Sequence, residues 1–146
     1  MFCMASAVSA FAPPCVAAPF NAEKALSSAR KERRLEAVER LRLGRARVSE
    51  KSLKTAFQRE NDPLLKVRML QAMAAAEGPG LTAELAAALG LEPDAMVRQA
   101  AAQELGRYAA QPGAVQALAS ALAADKDSSV RYACALSLAH ADTPQA

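Results

Sequence analysis

Apolar positions along the chain repeat at two periods. Within a segment they recur every three or four residues, the spacing of one helix face. Whole segments then resemble one another at a longer interval. Asp125-Lys-Asp127-Ser-Ser-Val130-Arg131-Tyr-Ala-Cys-Ala-Leu-Ser-Leu138-Ala139 is echoed by Glu92-Pro-Asp94-Ala-Met-Val97-Arg98-Gln-Ala-Ala-Ala-Gln-Glu-Leu105-Gly106. A third version is Asp62-Pro-Leu-Leu-Lys-Val67-Arg68-Met-Leu-Gln-Ala-Met-Ala-Ala75. Each begins with an acidic residue, reaches a Val-Arg pair five positions later and continues in small apolar residues; the pairs are 30 and 33 residues apart. Similarity at that interval marks helical hairpins that bury their apolar faces by stacking.

The same pattern predicts the individual helices. Asn21 is placed to cap a segment with Leu26, Ala29, Leu35, Val38, Leu41 and Leu43 at helical spacing, forming one helix or two short ones before Gly44. Ser49 caps a second helix through Leu53, Ala56 and Phe57 to about Arg59. Asp62 caps the next, with Pro63 at its first position, where the missing N–H is harmless. Gly78-Pro79-Gly80 turns the chain into a partner helix carrying Leu81, Leu85, Ala88 and Leu89. A third repeat runs from Glu92 to about Ala109, and Gln111-Pro112-Gly113 restarts a helix with Val115, Leu118, Ala121 and Leu122. Pro79 and Pro112 are 33 residues apart, so the shorter Val-Arg spacing predicts three residues lost from the first helix, or the following turn, of the second repeat. A last helix opens at Asp127 and runs to about His140, so the solenoid ends on a half repeat or continues in a longer protein.

This divides the chain into residues 1–20, a flexible arm or targeting leader; 21–60, charged N-terminal capping helices; 61–141, stacked repeats; and a tail at 142–146. Composition supports helices: 52% of residues are apolar but only 4% are aromatic, with Ala and Leu dominant rather than the β-branched residues of strands. The net charge of +3 is uneven. Residues 21–60 hold twelve Lys or Arg against six Glu, and residues 61–146 hold six basic against nine acidic residues. The first block therefore suits an acidic partner.

Candidates for chemistry are few. Cys3, Cys15 and Cys134 are odd in number and widely spaced, which fits neither a disulfide framework nor a metal site. His140, the sole histidine, lies six residues from Cys134, a spacing that brings no convergent ligand set. Phosphate-binding glycine loops, dinucleotide fingerprints and metalloprotease motifs are missing from the sequence. No catalytic residue, cofactor or metal ligand is assigned. The apolar run before Pro13, about a dozen residues, is too short to span a bilayer.

The acidic residue, Val-Arg pair, Ala-rich helix, Leu-Gly end and Pro-initiated second helix together resemble the HEAT repeat, with the short repeats of phycobiliprotein lyases most similar. The resemblance implies an all-α fold, a right-handed α-solenoid of about three to four repeats. It also implies an inter-repeat ladder of acidic and arginine side chains, here Asp94, Asp127, Arg68, Arg98 and Arg131, with Leu64 in place of the matching acid in the second repeat. The function implied is a non-catalytic scaffold or assembly subunit that binds another protein. The partner-facing candidates are Arg45, Arg47, Lys51 and Lys54 near the basic end and Glu84 on a second helix.

Two other functions compete with it. One is a phycobiliprotein-lyase-like accessory subunit, with which Val8-Ser-Ala10-Phe11-Ala-Pro13 agrees by resembling the cleavage junction of two-part plastid-targeting leaders. The other is nucleic-acid binding by Arg30, Lys31, Arg33, Arg34, Arg40, Arg42, Arg45 and Arg47. The interspersed Glu32, Glu36 and Glu39 and the scarcity of stacking aromatics favour protein over nucleic acid. The compartment expected is the cytoplasm or the plastid stroma.

Overall fold

A computed structural model describes residues 20–76 and 78–141, and within them the only regular elements are helices. They are α1 (Ala22–Leu26), α2 (Lys31–Arg42), α3 (Glu50–Arg59), α4 (Pro63–Ala76), α5 (Pro79–Leu91), α6 (Ala95–Gly106), α7 (Pro112–Ala124) and α8 (Ser128–Ala141). The first helices α2, α4, α6 and α8 pack each on the next in one layer, and the second helices α3, α5 and α7 do the same in another. The result is an α-solenoid.

Local chemistry sets the helix ends. Asn21 accepts from the Lys24 N–H, Ser49 from Ser52, Asp62 from Leu64 and Leu65, and Asp94 from Met96 and Val97. The segment after Asn21 breaks in two because Ser27 Oγ turns back to the carbonyls of Glu23 and Lys24, while Ser28 Oγ accepts from the Arg30 N–H. Gly44 ends α2 at φ 66°, with Gly44 N bonded to Leu41 O and Arg45 N to Arg40 O. That pair of bonds is the Schellman closure, and it needs a left-handed residue at this position. α6 stops at Gly106, short of the expected Ala109, because the chain turns there to carry Tyr108 back to α4. The Tyr108 hydroxyl donates to the Ala74 carbonyl.

One continuous apolar cluster extends from Ala25 to Cys134. Met69, Leu70 and Met73 of α4, Leu85 and Leu89 of α5, Val97 and Leu105 of α6, Leu118 of α7 and Val130 of α8 are buried essentially completely. Each large side chain of this kind contributes roughly 1.5–3 kcal/mol of transfer free energy. Alanines set the spacing between helices. α8 lies against a ridge of Ala102 and Gly106 on α6, where Ser137 Oγ donates to the Ala102 carbonyl at 3.0 Å. A Cβ on Gly106 would stand 2.8 Å from Ser137 Oγ and 3.3 Å from its Cα.

Candidate functional site

The first helices carry a cation at their fourth residue: Arg34 in α2, Lys66 in α4, Arg98 in α6 and Arg131 in α8. The acids Glu60, Glu92 and Asp125 follow the last residues of α3, α5 and α7. These two sets meet across the repeats. Arg34 donates from Nε to Glu60 Oε2 at 2.7 Å and from Nη2 to Oε1 at 3.3 Å, while Nη1 reaches the carbonyls of Ser28 and Ala29. Lys66 Nζ lies 2.8 and 2.9 Å from the two oxygens of Glu92. Arg98 grips Asp125 with bonds of 2.8 and 3.0 Å, and its third nitrogen reaches the carbonyls of Glu92 and Pro93. Arg131 donates to the Asp125 carbonyl at 2.8 Å. Arginine suits this task because its planar fork binds a carboxylate and still has a donor for backbone.

The same contacts shift the titrations. The Arg98 hydrogen bond holds the Asp125 carboxyl below the usual carboxylate range, against the opposing effect of burial. Burial raises the Glu60 carboxyl, but the bonds from Arg34 and from the backbone of Asp62 and Asn61 outweigh it and leave the group lowered. Both guanidiniums are raised, chiefly by these side-chain bonds.

The expected register of the second repeat requires correction. Arg68 is not in the ladder: it is exposed, its Nε is 3.6 Å from Glu39 Oε1 and its Nη1 bonds Gln71. Lys66 holds that place, and Leu65 rather than Val67 corresponds to the buried Val97 and Val130. A two-residue slip turns a side chain about 200° around a helix, from the seam to the outside. Rung spacings are therefore 32, 32 and 33 residues, with no three-residue loss. Asp94 and Asp127 also have another place than the ladder. Like Asp62 they cap first helices, Asp127 Oδ1 accepting from the Ser129 N–H at 2.9 Å. In this register Asp62, and not Leu64, matches them.

A cleft of about 510 Å³ opens among α1, α2 and α3, lined by Glu23, Ser28, Arg34, Lys51, Thr55 and Arg59. Of the partner-facing candidates, Lys51 is exposed at this cleft, and Arg45 and Arg47 are exposed on the α2–α3 connection. Lys54 and Glu84 are half-buried at the α3–α5 junction. Lys54 Nζ lies 3.1 Å from where a Cβ on Gly80 would sit, and Glu84 accepts from Gln58 Nε2 at 3.4 Å. Glu50 leans over the start of α5, its Oε2 2.6 Å from that same Cβ position. An anion there opposes the positive helix end.

Compared with families, residues 50–139 match the family model of HEAT repeats. The chain belongs to the HEAT-repeat family. Comparison with curated proteins and with solved structures found no match. The HEAT match begins at α3, yet Arg34 meets Glu60 as Arg98 meets Asp125, so α2 takes the same place in the first-helix layer as α4, α6 and α8. The Val-Arg dipeptide obscured this, because α2 presents Arg33-Arg34 in its place.

Burial, and then the charge of Asp125, push the Cys134 thiol up to about 11, so it stays protonated in the core. His140 lies in the last turn of α8. Among the described residues no three His, Cys, Asp or Glu side chains gather as for a metal ion. None of the described helices is long and apolar enough to cross a membrane. Cys3, Cys15, the leader-like segment and the tail lie outside the described residues.

Proposed function

We propose that this chain is a protein-binding scaffold and that its partner lies along the second helices α3, α5 and α7. The observation that carries the reading is the grading of that face. Lys51 and Arg59 stand exposed at the α1–α3 cleft, while the exposed positions beyond are uncharged: Ala83 and Ala87 on α5, Gln116 and Ser120 on α7. An extended or helical segment with acidic residues at one end and small apolar residues along the rest matches this gradient. Steering by the cationic end would speed encounter, and contact along the neutral part would hold the complex.

The basic block supports protein rather than nucleic acid as the partner. Lys31 pairs with Asp62, Arg34 with Glu60, Arg40 with Glu36 and Arg42 with Glu39, so four of the twelve cations of residues 21–60 are engaged with carboxylates. The reading is tested by affinity purification of the full chain with and without nuclease, followed by mass spectrometry. The expected result is a protein partner that survives nuclease and is released by Lys51→Glu with Arg59→Glu. Recovery of nucleic acid alone, or a partner indifferent to that double substitution, would overturn it.

A further inference from the structure

The groove beside the first rung differs from those beside the others. Next to it stands α1, a helix of only 5 residues, where the third rung has the 13-residue α5. The cleft of about 510 Å³ opens along the part of α3 that so short a helix leaves uncovered. Its wall on α3 carries Lys51, Thr55 and Arg59, spaced by four residues on one helix face. Counted back from the ladder acid, the same places hold Ala83, Ala87 and Leu91 before Glu92, and Gln116, Ser120 and Ala124 before Asp125. The two cations belong to the first groove alone.

The cleft also gathers donors that no described residue engages. The side chains of Lys51, Thr55, Arg59 and Asn61 all line it, and none makes a hydrogen bond or ion pair among the described residues. The acids beside them are held already. Glu60 takes two bonds from Arg34 and two from the backbone of Asn61 and Asp62, and Glu23 accepts from Ser52 Oγ at 3.1 Å. Residues 1–20 contain no charged side chain, so they bring no anionic side chain to these cations.

We propose that this cleft binds the phosphate of a phosphorylated serine or threonine on the partner, which rests on the protein-binding function of this face and names the anion it takes. Lys51 and Arg59 stand about 12 Å apart along the α3 axis, at 1.5 Å per residue. Two long side chains therefore close from opposite sides on a group seated over Thr55, whose hydroxyl donates from below. Three donors then arrive from three directions. A phosphomonoester meets them with three terminal oxygens in a tetrahedral array and a charge approaching that of two cations. A carboxylate offers two oxygens in one plane and a single charge. A nucleic-acid phosphodiester likewise has two terminal oxygens and one charge. Glu23 faces the site from α1 and opposes any anion there, so its charge limits affinity.

The test is titration of the isotope-labelled full chain with N-acetyl-phosphoserine amide, read by amide NMR shifts, beside N-acetyl-aspartate amide and dimethyl phosphate. The expected result is saturable shifts at Ser52, Thr55, Arg59 and Asn61, with phosphoserine binding about threefold or more tighter than either competitor. Lys51→Ala, Arg59→Ala and Thr55→Val should each weaken it about twofold or more, and Glu23→Gln should tighten it, with the helical circular dichroism retained. Arg45→Ala with Arg47→Ala, in the same basic block but outside the cleft, should change nothing. Equal binding of the aspartate or diester probe, shifts spread over Arg45 and Arg47, or no saturable shift would each overturn the proposal. Affinity purification from extract treated with phosphatase separates this result from the scaffold reading. Loss of the partner after that treatment supports the phosphate site. A partner retained from treated extract overturns the phosphate and leaves the scaffold standing, whereas no protein partner from either extract overturns both.

Discussion

The rung between α6 and α8 and the rung between α2 and α4 share their geometry and differ in their surroundings. Both are two-bond arginine–carboxylate grips with a further reach to backbone carbonyls. Around Arg98–Asp125 the side chains are 6% and 7% exposed, and α8 packs on small residues of α6. Arg34 is 21% exposed in its pair, and α2 buries only Ala37 and Val38 while Leu35 and Leu43 remain exposed. The interior repeat joins its ladder to close apolar packing. The first repeat has more of its contacts in charged pairs, including Lys31–Asp62 and Arg68–Glu39 across helices. Rung geometry is thus set by backbone placement at the helix starts and ends, whereas what a rung contributes depends on how much packing it guards.

The largest break in that comparison comes from removing the interior acid. Asp125→Ala leaves Arg98 buried and unpaired and removes the acceptor of the Asp127 N–H. It should destabilise the chain by about 3 kcal/mol in chemical denaturation. Glu60→Ala should cost less, about 2 kcal/mol, because Arg34 is better able to recover water. Equal costs would erase the distinction between the two regions. Acid should act through the same pair of sites. Both carboxyls are lowered in the folded state, so their contribution is complete above the unfolded values near pH 4 and declines as pH falls through the folded ones. Denaturant midpoints should be flat from about pH 7 to 5 and fall below about pH 4. Asp125→Asn should flatten that fall; an unchanged pH profile would remove this carboxyl from the acid response.

A smaller effect probes packing without altering charge. Gly106→Ala puts a methyl 2.8 Å from Ser137 Oγ and 3.3 Å from backbone, so α8 must shift. A cost of about 1–2 kcal/mol is expected. Gly90→Ala is the counterpart, since nothing lies within 4 Å of its Cβ position near the end of α5. It should be neutral or stabilise by up to about 1 kcal/mol through helix propensity. A Gly106→Ala protein melting with the wild type would show that the α6–α8 contact yields freely.

Much of this fold is visible in the sequence because its signals are local. Asn21, Ser49, Asp62 and Asp94 declare helix starts by side-chain chemistry, and Leu85, Leu105 and Leu118 fall on apolar faces by spacing alone. The ladder is less legible because it is a relation between repeats. Val67-Arg68 imitates Val97-Arg98, yet faces elsewhere by two positions, and the true rung is a lysine after a leucine. Counting from the capping Asp62, Asp94 and Asp127 would have found it. Lys54 and Glu84 mislead for another reason: long charged side chains fold onto the neighbouring helix, which no residue count reveals.

The finest test asks whether that lysine rung is a weaker copy of its neighbours. Lys66 binds Glu92 through one nitrogen and stands 5.0 Å from the centre of the Phe57 ring. It lacks the second reach of Arg34 and Arg98 to carbonyls six residues back, here that of Glu60. Lys66→Arg supplies the fork, keeps the charge on Glu92 and can still lie against the ring. The gain should be about 0.5–1 kcal/mol, the net value of one added hydrogen bond, read as a higher denaturant midpoint at unchanged slope. The same change in an Asp125→Ala background should give the same gain, since the two rungs share no partner. A loss of stability instead would mean that the α4–α5 seam is too tight for a guanidinium, and that lysine was retained there for its size.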